Sequence, residues 1–315
     1  MTAYLIRRSL TAVVVLLGVS VFIFLMLHVI YPTPAIQVLG PHANKFSINQ
    51  WNRQHGFDDP WIVQYLRYLN QLLHGNLGYS YKLNQSVLAL FQERWMRSAW
   101  LSGITLFLSV AIAIPLGIYQ AVRRNTVGDA VVTTGAFVTY AMPDFFLYLI
   151  AIQLLAISFP IFSFEGPQTT SMVSIIFNWR AMTLPIVCLT LLNLAGYSRY
   201  MRSAAMDTLA QDYIKAARAK GLPERLVLLR HLVRNAFLPM ITLIGLSIPA
   251  LLAGNLVCEA VFNFPGLGLL FYNSLGTADY PVLLAYTLVG AVLTVVGNFI
   301  ADISLTVADP RIRLV

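Results

Sequence analysis

The sequence predicts an all-α membrane protein with six transmembrane helices and both termini on the cytoplasmic side. Three observations lead there. Of 315 residues, 58% are hydrophobic and only 11% charged, where a soluble domain carries about a quarter. The mean hydropathy is +0.70, and the apolar residues gather in runs long enough, at about 1.5 Å per helical residue, to cross a hydrocarbon core of roughly 30 Å. Between the runs the basic residues cluster: Arg7 and Arg8, Arg123 and Arg124, the stretch Arg199 to Arg234, and Arg311 and Arg313. Short loops rich in Lys and Arg stay in the cytoplasm, and every cluster fits the six-span arrangement.

In chain order, Arg7 and Arg8 lead into an uncharged run from Ser9 to Ile30. It is longer than the apolar core of a signal peptide, about 7–15 residues, and reads as an uncleaved first span. His28, near its outer end, reads as a satisfied or interfacial histidine. Residues 31–97 are polar, with Pro32, Pro34, Pro41 and Pro60, and read as an external segment packed on the membrane face. Trp61 to Leu73 is amphipathic, and Trp51, Trp61 and Trp95 suit a membrane interface. Ser98 to Val122 forms the second span, with a kink expected at Pro115. Ala130 to Phe162 is too long for one upright helix. It reads as a tilted helix broken at Pro143, or as an interfacial segment followed by a shorter span. Asp144 is read as capping the restarted helix; the alternative is an intramembrane functional acid. Ser163 to Arg180 is an external loop. Ala181 to Ser198, Pro239 to Cys258 and Val282 to Ala301 complete the spans. The chain thus divides into residues 1–30 (tail and first span), 31–97 (external segment) and 98–315 (a core of five spans with an inner loop at 199–238).

That inner loop carries the most information. From Arg199 to Arg234 it holds eight basic residues (Arg199, Arg202, Lys215, Arg218, Lys220, Arg225, Arg230, Arg234) against Asp207, Asp212 and Glu224. It reads as two helices broken at one point. Met206, Ala210, Tyr213 and Ala217 fall at helical spacing and give the first helix a smooth face. Gly221 suits a left-handed helix end, with Lys220 at the helix's negative end. Pro223 fits the first position of a second helix and Glu224 its first turn. Leu226, Leu229, Val233 and Phe237 are expected to form that helix's apolar stripe.

Other chemistry finds little support. The net charge of +8 belongs to the inner loops and calls for no nucleic acid. Cys188 and Cys258 sit in or beside apolar runs and read as small core residues. No metal-ligand spacing, phosphate loop or nucleophile–base motif appears. If ATP drives this protein, another chain hydrolyses it. A secondary transporter would need intramembrane charges or inverted repeats; Asp144 and Glu259 are the only acids near the spans, and no repeat is visible.

Lys215-Ala216-Ala217, then Gly221, then Leu238-Pro239 resembles the coupling loop of permease subunits of binding-protein-dependent ABC importers. Lys215 stands where the family usually has Glu. The run Tyr213-Ile214-x-x-Ala217-Arg218-Ala219-Lys220-Gly221-Leu222 is similar to the dipeptide/oligopeptide branch. So are Glu259-x-x-Phe262-x-x-Pro265-Gly266-Leu267-Gly268, Asp279-Tyr280-Pro281 and His74-Gly75-Asn76-Leu77-Gly78-x-Ser80. In the last, Asn76 replaces an Asp; the segment from His28 to Pro34 likewise lacks the family's acid. The resemblance implies a type I permease fold in a bacterial inner membrane, importing dipeptides or oligopeptides; nickel complexes, glutathione or haem are alternatives within the branch. It implies an ATPase-coupling role for Tyr213, Ala216, Ala217, Arg218, Ala219, Gly221, Leu222, Leu238 and Pro239. Glu259, Phe262, Pro265, Gly266, Gly268, Asp279 and Tyr280 would form an outer gate or a docking face for a binding protein. The implied partners are a second homologous permease, two ATPases that hold ATP and Mg, the external binding protein and membrane lipid. No cofactor is expected on this chain. Ser109, Thr139, Tyr140, Asn193 and Asn255 are candidates for a hydrogen-bonding path through the spans.

Overall fold

The computed structural model describes residues 2–32, 34–40 and 42–308. The expectations for Arg311 and Arg313 lie outside them. Among the described residues the fold is helical, and Tyr79 and Ser86 make an isolated antiparallel bridge. Four helices are long and apolar enough to cross a membrane: α1 (Thr2–Ile30), α5 (Val87–Val122), α9 (Trp179–Leu209) and α17 (Tyr280–Ala308). Two bent pairs bring the number to six if each counts as one span.

Residues 31–97, expected to be the external segment, hold α2 (Ala35–Leu39), α3 (Lys45–His55) and α4 (Trp61–Leu73). Asn44 caps α3, accepting from the Ser47 amide at 2.7 Å, and Gly56 ends it in left-handed backbone. Trp51, assigned to the membrane interface on sequence, instead packs inside this segment, stacked on His55. His28 is buried and satisfied, as expected. Its Nδ1 lies 2.8 Å from the Phe24 carbonyl and its Nε2 3.0 Å from Gln64 Oε1, so the end of α1 is tied to α4.

The helix that carries the second span, α5, starts at Val87, before the uncharged run that begins at Ser98. Ser86 caps it through the Ala89 amide, and Glu93 pairs with Arg94 and Arg97, so a charged first stretch stays helical above the apolar part. Against it packs α9. Gly117 is at their close approach, where a β-carbon would press on Met201 and the backbone of Arg202. Ser109 joins the same two helices by donating to the Thr105 and Thr190 carbonyls.

The third span breaks at Pro143 as expected, and sharply. Helix α6 (Val127–Ala141) meets α7 (Asp144–Ile152), which continues as a π-helical turn over Gln153–Ser158, at 103°. Proline lacks the N–H that a continuous helix would need. Asp144 opens α7 but makes no capping hydrogen bond, contrary to the sequence reading; it lies exposed in the first turn, where a carboxylate faces the positive end of the helix dipole. A short α8 (Met172–Phe177) precedes α9. The stretch expected as the fifth span, Pro239 to Cys258, is also segmented. Helix α13 (Leu238–Leu246) and α14 (Ile248–Ala253) meet at Ser247, and Gly254 separates α14 from α15 (Leu256–Val261). Pro249 and Gly254 lie at these breaks, where each disfavours continuing the helix. Then α16 (Leu267–Thr277) leads to α17. Cys188 and Cys258 are free thiols in one buried cluster with Tyr148, Met182 and Phe262. Arg8 bonds Asp302 at 2.7 Å, which brings the first and last helices together at the basic end.

Candidate functional site

Helix α9 ends at Leu209, and the chain turns at Ala210 and Gln211 into α10 (Asp212–Ala219). Met206 and Ala217 therefore stand on different helices, and the single smooth face expected from Met206 to Ala217 does not form. The end of α10 does follow its sequence. Gly221 has φ +76°, its amide donates to the Arg218 carbonyl, and the Leu222 amide donates to Ala217. This is the Schellman arrangement, in which the left-handed residue turns two amides back onto the last helical carbonyls. Leu222 adds the accompanying apolar contact, packing with Ile214, Ala217 and Val227.

Ile214 and Ala217 are thus buried against their own chain, while Tyr213, Ala216, Arg218 and Ala219 are exposed. Nothing lies within 4 Å of a β-carbon built on Gly221, which faces open space. Lys215, at the family's Glu position, bonds Asp212 at 2.9 Å. Arg218 holds Glu224 in a two-pronged pair at 2.6 and 3.1 Å, and these bonds keep the Glu224 carboxyl below its usual range.

Beyond Gly221 the register departs from expectation. Pro223 is extended and precedes the helix, which starts at Glu224 (α11, Glu224–Leu226). A π-helical turn over Val227–Leu232 leads to α12 (Val233–Ala236). The buried residues are Val227, Leu232, Ala236 and Met240, whereas Leu226 and Leu229 are 38% and 60% exposed. The five-residue step from Val227 to Leu232 is the π turn itself, which rotates the apolar face away from the stripe that α-helical spacing predicts. Leu238 and Pro239 open α13.

The ion pair of Asp129 with Arg202 lies near the C-terminal end of α9. Arg202 donates to both carboxylate oxygens, at 2.9 and 2.8 Å. Asp129 also accepts from the Asn125 amide and the Thr133 hydroxyl, and it is buried. The pair ties the start of α6 to the helix from which α10 hangs. Sequence reasoning missed it, because only the fold brings these residues together.

At the other end of the molecule stands a second constellation. Glu259 is fully buried. Its carboxylate accepts from the amides of Gly268 (2.7 Å), Leu269 (3.2 Å) and Asn255 (3.2 Å) and from Ser98. It closes the N-terminus of α16, whose first amides have no helical partner. Gly268 has no room for a β-carbon, which would strike the Leu256 backbone. Ser98 also accepts from Leu267 at 2.8 Å, and Arg97 donates to the Pro265 carbonyl at 3.0 Å. Phe262 and Gly266 are buried within this turn. Asp279 accepts from Ser80 and from the Tyr81 amide, pinning the external segment to the start of α17. Burial pushes its carboxyl above the ordinary value, against the pull of those bonds. The Tyr280 hydroxyl donates to the carbonyls of Leu27 and Tyr31. Asn76, where the family has Asp, accepts from Gly78 at 2.9 Å, which an amide oxygen does as well as a carboxylate. Among the path candidates, Asn255 caps α15 and Ser109 is spent between α5 and α9. Tyr140 and Asn193 are exposed and Thr139 is half-buried; Arg199 lies 4.8 Å above the Tyr140 ring.

Similarity to known proteins covers nearly the whole chain. Residues 113–314 match the model for the binding-protein-dependent transport system inner membrane component, and residues 1–102 match the model for the N-terminal part of such membrane components. An oligopeptide transport system permease protein of Bacillus subtilis is 38% identical, over 99% of this chain and 100% of the relative. A glutathione transport system permease protein of Salmonella paratyphi A is 32% identical, over 99% of each chain. A solved structure of an amino acid ABC transporter aligns with a TM-score of 0.47 and 16% identity, over 71% of this chain and 95% of that one. The chain belongs to the family of inner-membrane components of binding-protein-dependent transport systems, and is a multi-pass permease subunit of an ABC importer.

Proposed function

We propose that this chain is one of two homologous permease subunits of an ATP-driven importer of dipeptides or oligopeptides, with six spans, both termini cytoplasmic and a type I arrangement. Two ATPases carry ATP and Mg, and an external binding protein delivers the peptide. The substrate class rests on the 38% identity, from end to end, with an oligopeptide permease. The glutathione relative at 32% supports the same class, since glutathione is itself a small peptide.

The observation that carries the mechanism is α10. It is short, exposed on the face of Tyr213, Ala216 and Ala219, and fastened to its own chain through Ile214, Ala217 and Leu222. Small residues let a partner's surface approach closely. An ATPase groove closing on α10 pushes a rigid body, because α9 continues from α10 after a two-residue turn and Arg202 passes the push to α6 through Asp129. The spans then change access by moving as packed units. The outer turn from Glu259 to Tyr280 serves as the outer gate and, on its exposed side, as the docking face for the binding protein.

The test is ATP hydrolysis by the purified complex in vesicles, with binding protein loaded with dipeptides, longer peptides or glutathione. Stimulation and uptake by peptides is expected. Stimulation by none of them would overturn the substrate class, and a complex that copurifies with no ATPase would overturn the coupling role.

A further inference from the structure

At the inner end of α5 an open groove of about 540 Å³ runs between that helix and the π-helical turn. Ile118, Tyr119 and Val122 form one wall, and Leu228, Leu229 and Val233 the other. Tyr119, Val122 and Leu229 are 46%, 42% and 60% exposed, so the apolar surface is not covered by the chain's own packing. The register change in the π turn is what brings Leu229 outward. Two cations, Arg123 and Arg225, stand on the lining of this groove. Both are exposed, and neither is in any of the ion pairs among the described residues.

An apolar groove alone would suit another helix equally well. The two unpaired arginines beside it select an occupant with an acidic head and an apolar tail. They stand at the end of α5 where Arg123 and Arg124 mark the cytoplasmic boundary. Acidic headgroups of the inner leaflet lie at that level and attract basic side chains there, and the aliphatic stems of arginines can lie along the apolar wall with their charges directed to the headgroup.

We infer that this groove seats an anionic phospholipid of the cytoplasmic leaflet, its phosphate on Arg123 and Arg225 and an acyl chain along Leu228, Leu229 and Val233. The inference rests on the cytoplasmic placement of this end proposed above.

The test uses the whole importer complex with a photoreactive benzoylphenylalanine in place of Leu229. It is reconstituted in phosphatidylcholine vesicles containing a minor fraction of phosphatidylglycerol. Illumination is expected to capture phosphatidylglycerol in excess over its share of the bilayer, and inorganic phosphate should not compete. Native mass spectrometry of the complex should show retained phosphatidylglycerol falling about fivefold for each of Arg123→Gln and Arg225→Gln, with lysine at either position retaining most of it. Capture of a protein chain would overturn the proposal, assigning the groove to a neighbouring subunit. Capture of both lipids in proportion to the bilayer, or displacement by free phosphate, would overturn it too. The capture experiment needs no charge variant, so it stands even if an arginine variant fails to assemble. Thiol labelling at Glu224 from outside the vesicle's cytoplasmic face would instead show that the topology, not the groove, is at fault.

Discussion

The outer turn around Glu259 and the inner loop around Gly221 both join short helices through glycine, yet they are built in opposite ways. The outer turn is finished. Its carboxylate is fully buried and bonded to three backbone amides, Ser98 completes the network, and Gly268 is packed against the Leu256 backbone. The inner loop is open. Its ion pairs are exposed, Tyr213, Ala216 and Ala219 face outward, and the space over Gly221 is empty. A buried network fixes one geometry because any displacement leaves polar groups unpaired. An exposed helix on a small apolar footing keeps its shape but needs a partner to bear a load. With the inner loop facing the ATPases as proposed, the contrast suits a machine that is pushed from inside and must hold a defined outer boundary.

The largest effect is expected at Glu259. Glu259→Ala removes the acceptor of three backbone amides, that of Gly268 buried and those of Leu269 and Asn255 part-buried; a buried N–H left unpaired costs roughly 1–3 kcal/mol, so the loss should be at least of that size. The thermal unfolding midpoint of the purified complex should fall well below wild type, and Glu259→Gln, which keeps an acceptor, should lose much less. If the alanine variant unfolds at the wild-type temperature, the outer turn is not held from within.

Gly221→Val comes next. A branched residue at φ +76° costs about 1–2 kcal/mol, and since a β-carbon meets nothing in this chain, the added bulk falls on the partner. The complex should assemble by size exclusion while uptake and peptide-stimulated ATP hydrolysis fail together. Wild-type transport would show that this helix end does not couple.

These two residues also show what the sequence made legible. Gly221 announces itself by its place between a basic helix and Pro223, and Pro143 announces the sharp bend; both are local backbone effects. The role of Glu259 is only partly readable, because Ser98 belongs to another helix far away in the chain. The Asp129–Arg202 pair is hidden for the same reason. The π turn is illegible because Leu226 to Leu229 is apolar at every position, which leaves no periodicity there to reveal a changed register. The helical stretch ahead of Ser98 is not legible because Glu93, Arg94 and Arg97 look like loop charges, whereas they pair along a helix that extends beyond its apolar part.

Asp279 sharpens the comparison with a smaller effect. Its folded pKa is raised. The stability it contributes is therefore complete below the ordinary carboxylate value, about 4, and is lost as pH rises through the folded value. Asp279→Asn keeps an acceptor for Tyr81 and removes that loss. At neutral pH it should leave the unfolding midpoint unchanged or raise it, and it should flatten the pH dependence above pH ~4. A clear drop at neutral pH would mean that the charged form is held favourably, making this pin more like Glu259 than burial suggests.

The smallest effect belongs to Arg218 and Glu224. Their geometry is good, but the side chains are 44% and 51% exposed, and exposed pairs contribute only about 0.2–1 kcal/mol. The sign is opposite to that at Asp279. The Glu224 carboxyl is lowered, chiefly by the Arg218 hydrogen bonds. Its contribution is present above the unfolded value, near 4.3, and disappears as pH falls through the folded value. The protection of the Leu222 amide, which closes the Schellman turn, measured against the unfolded-chain exchange rate at the same pH, should therefore fall slightly in acid, in high salt and in Glu224→Gln. Arg218→Gln should have the same effect, and the double variant should add nothing further, because either substitution alone removes the pair. An effect well above 1 kcal/mol, or one insensitive to salt, would place this pair with the buried networks. The inner loop would then be as self-sufficient as the outer turn, and the division between a finished outer end and a partner-completed inner end would not hold.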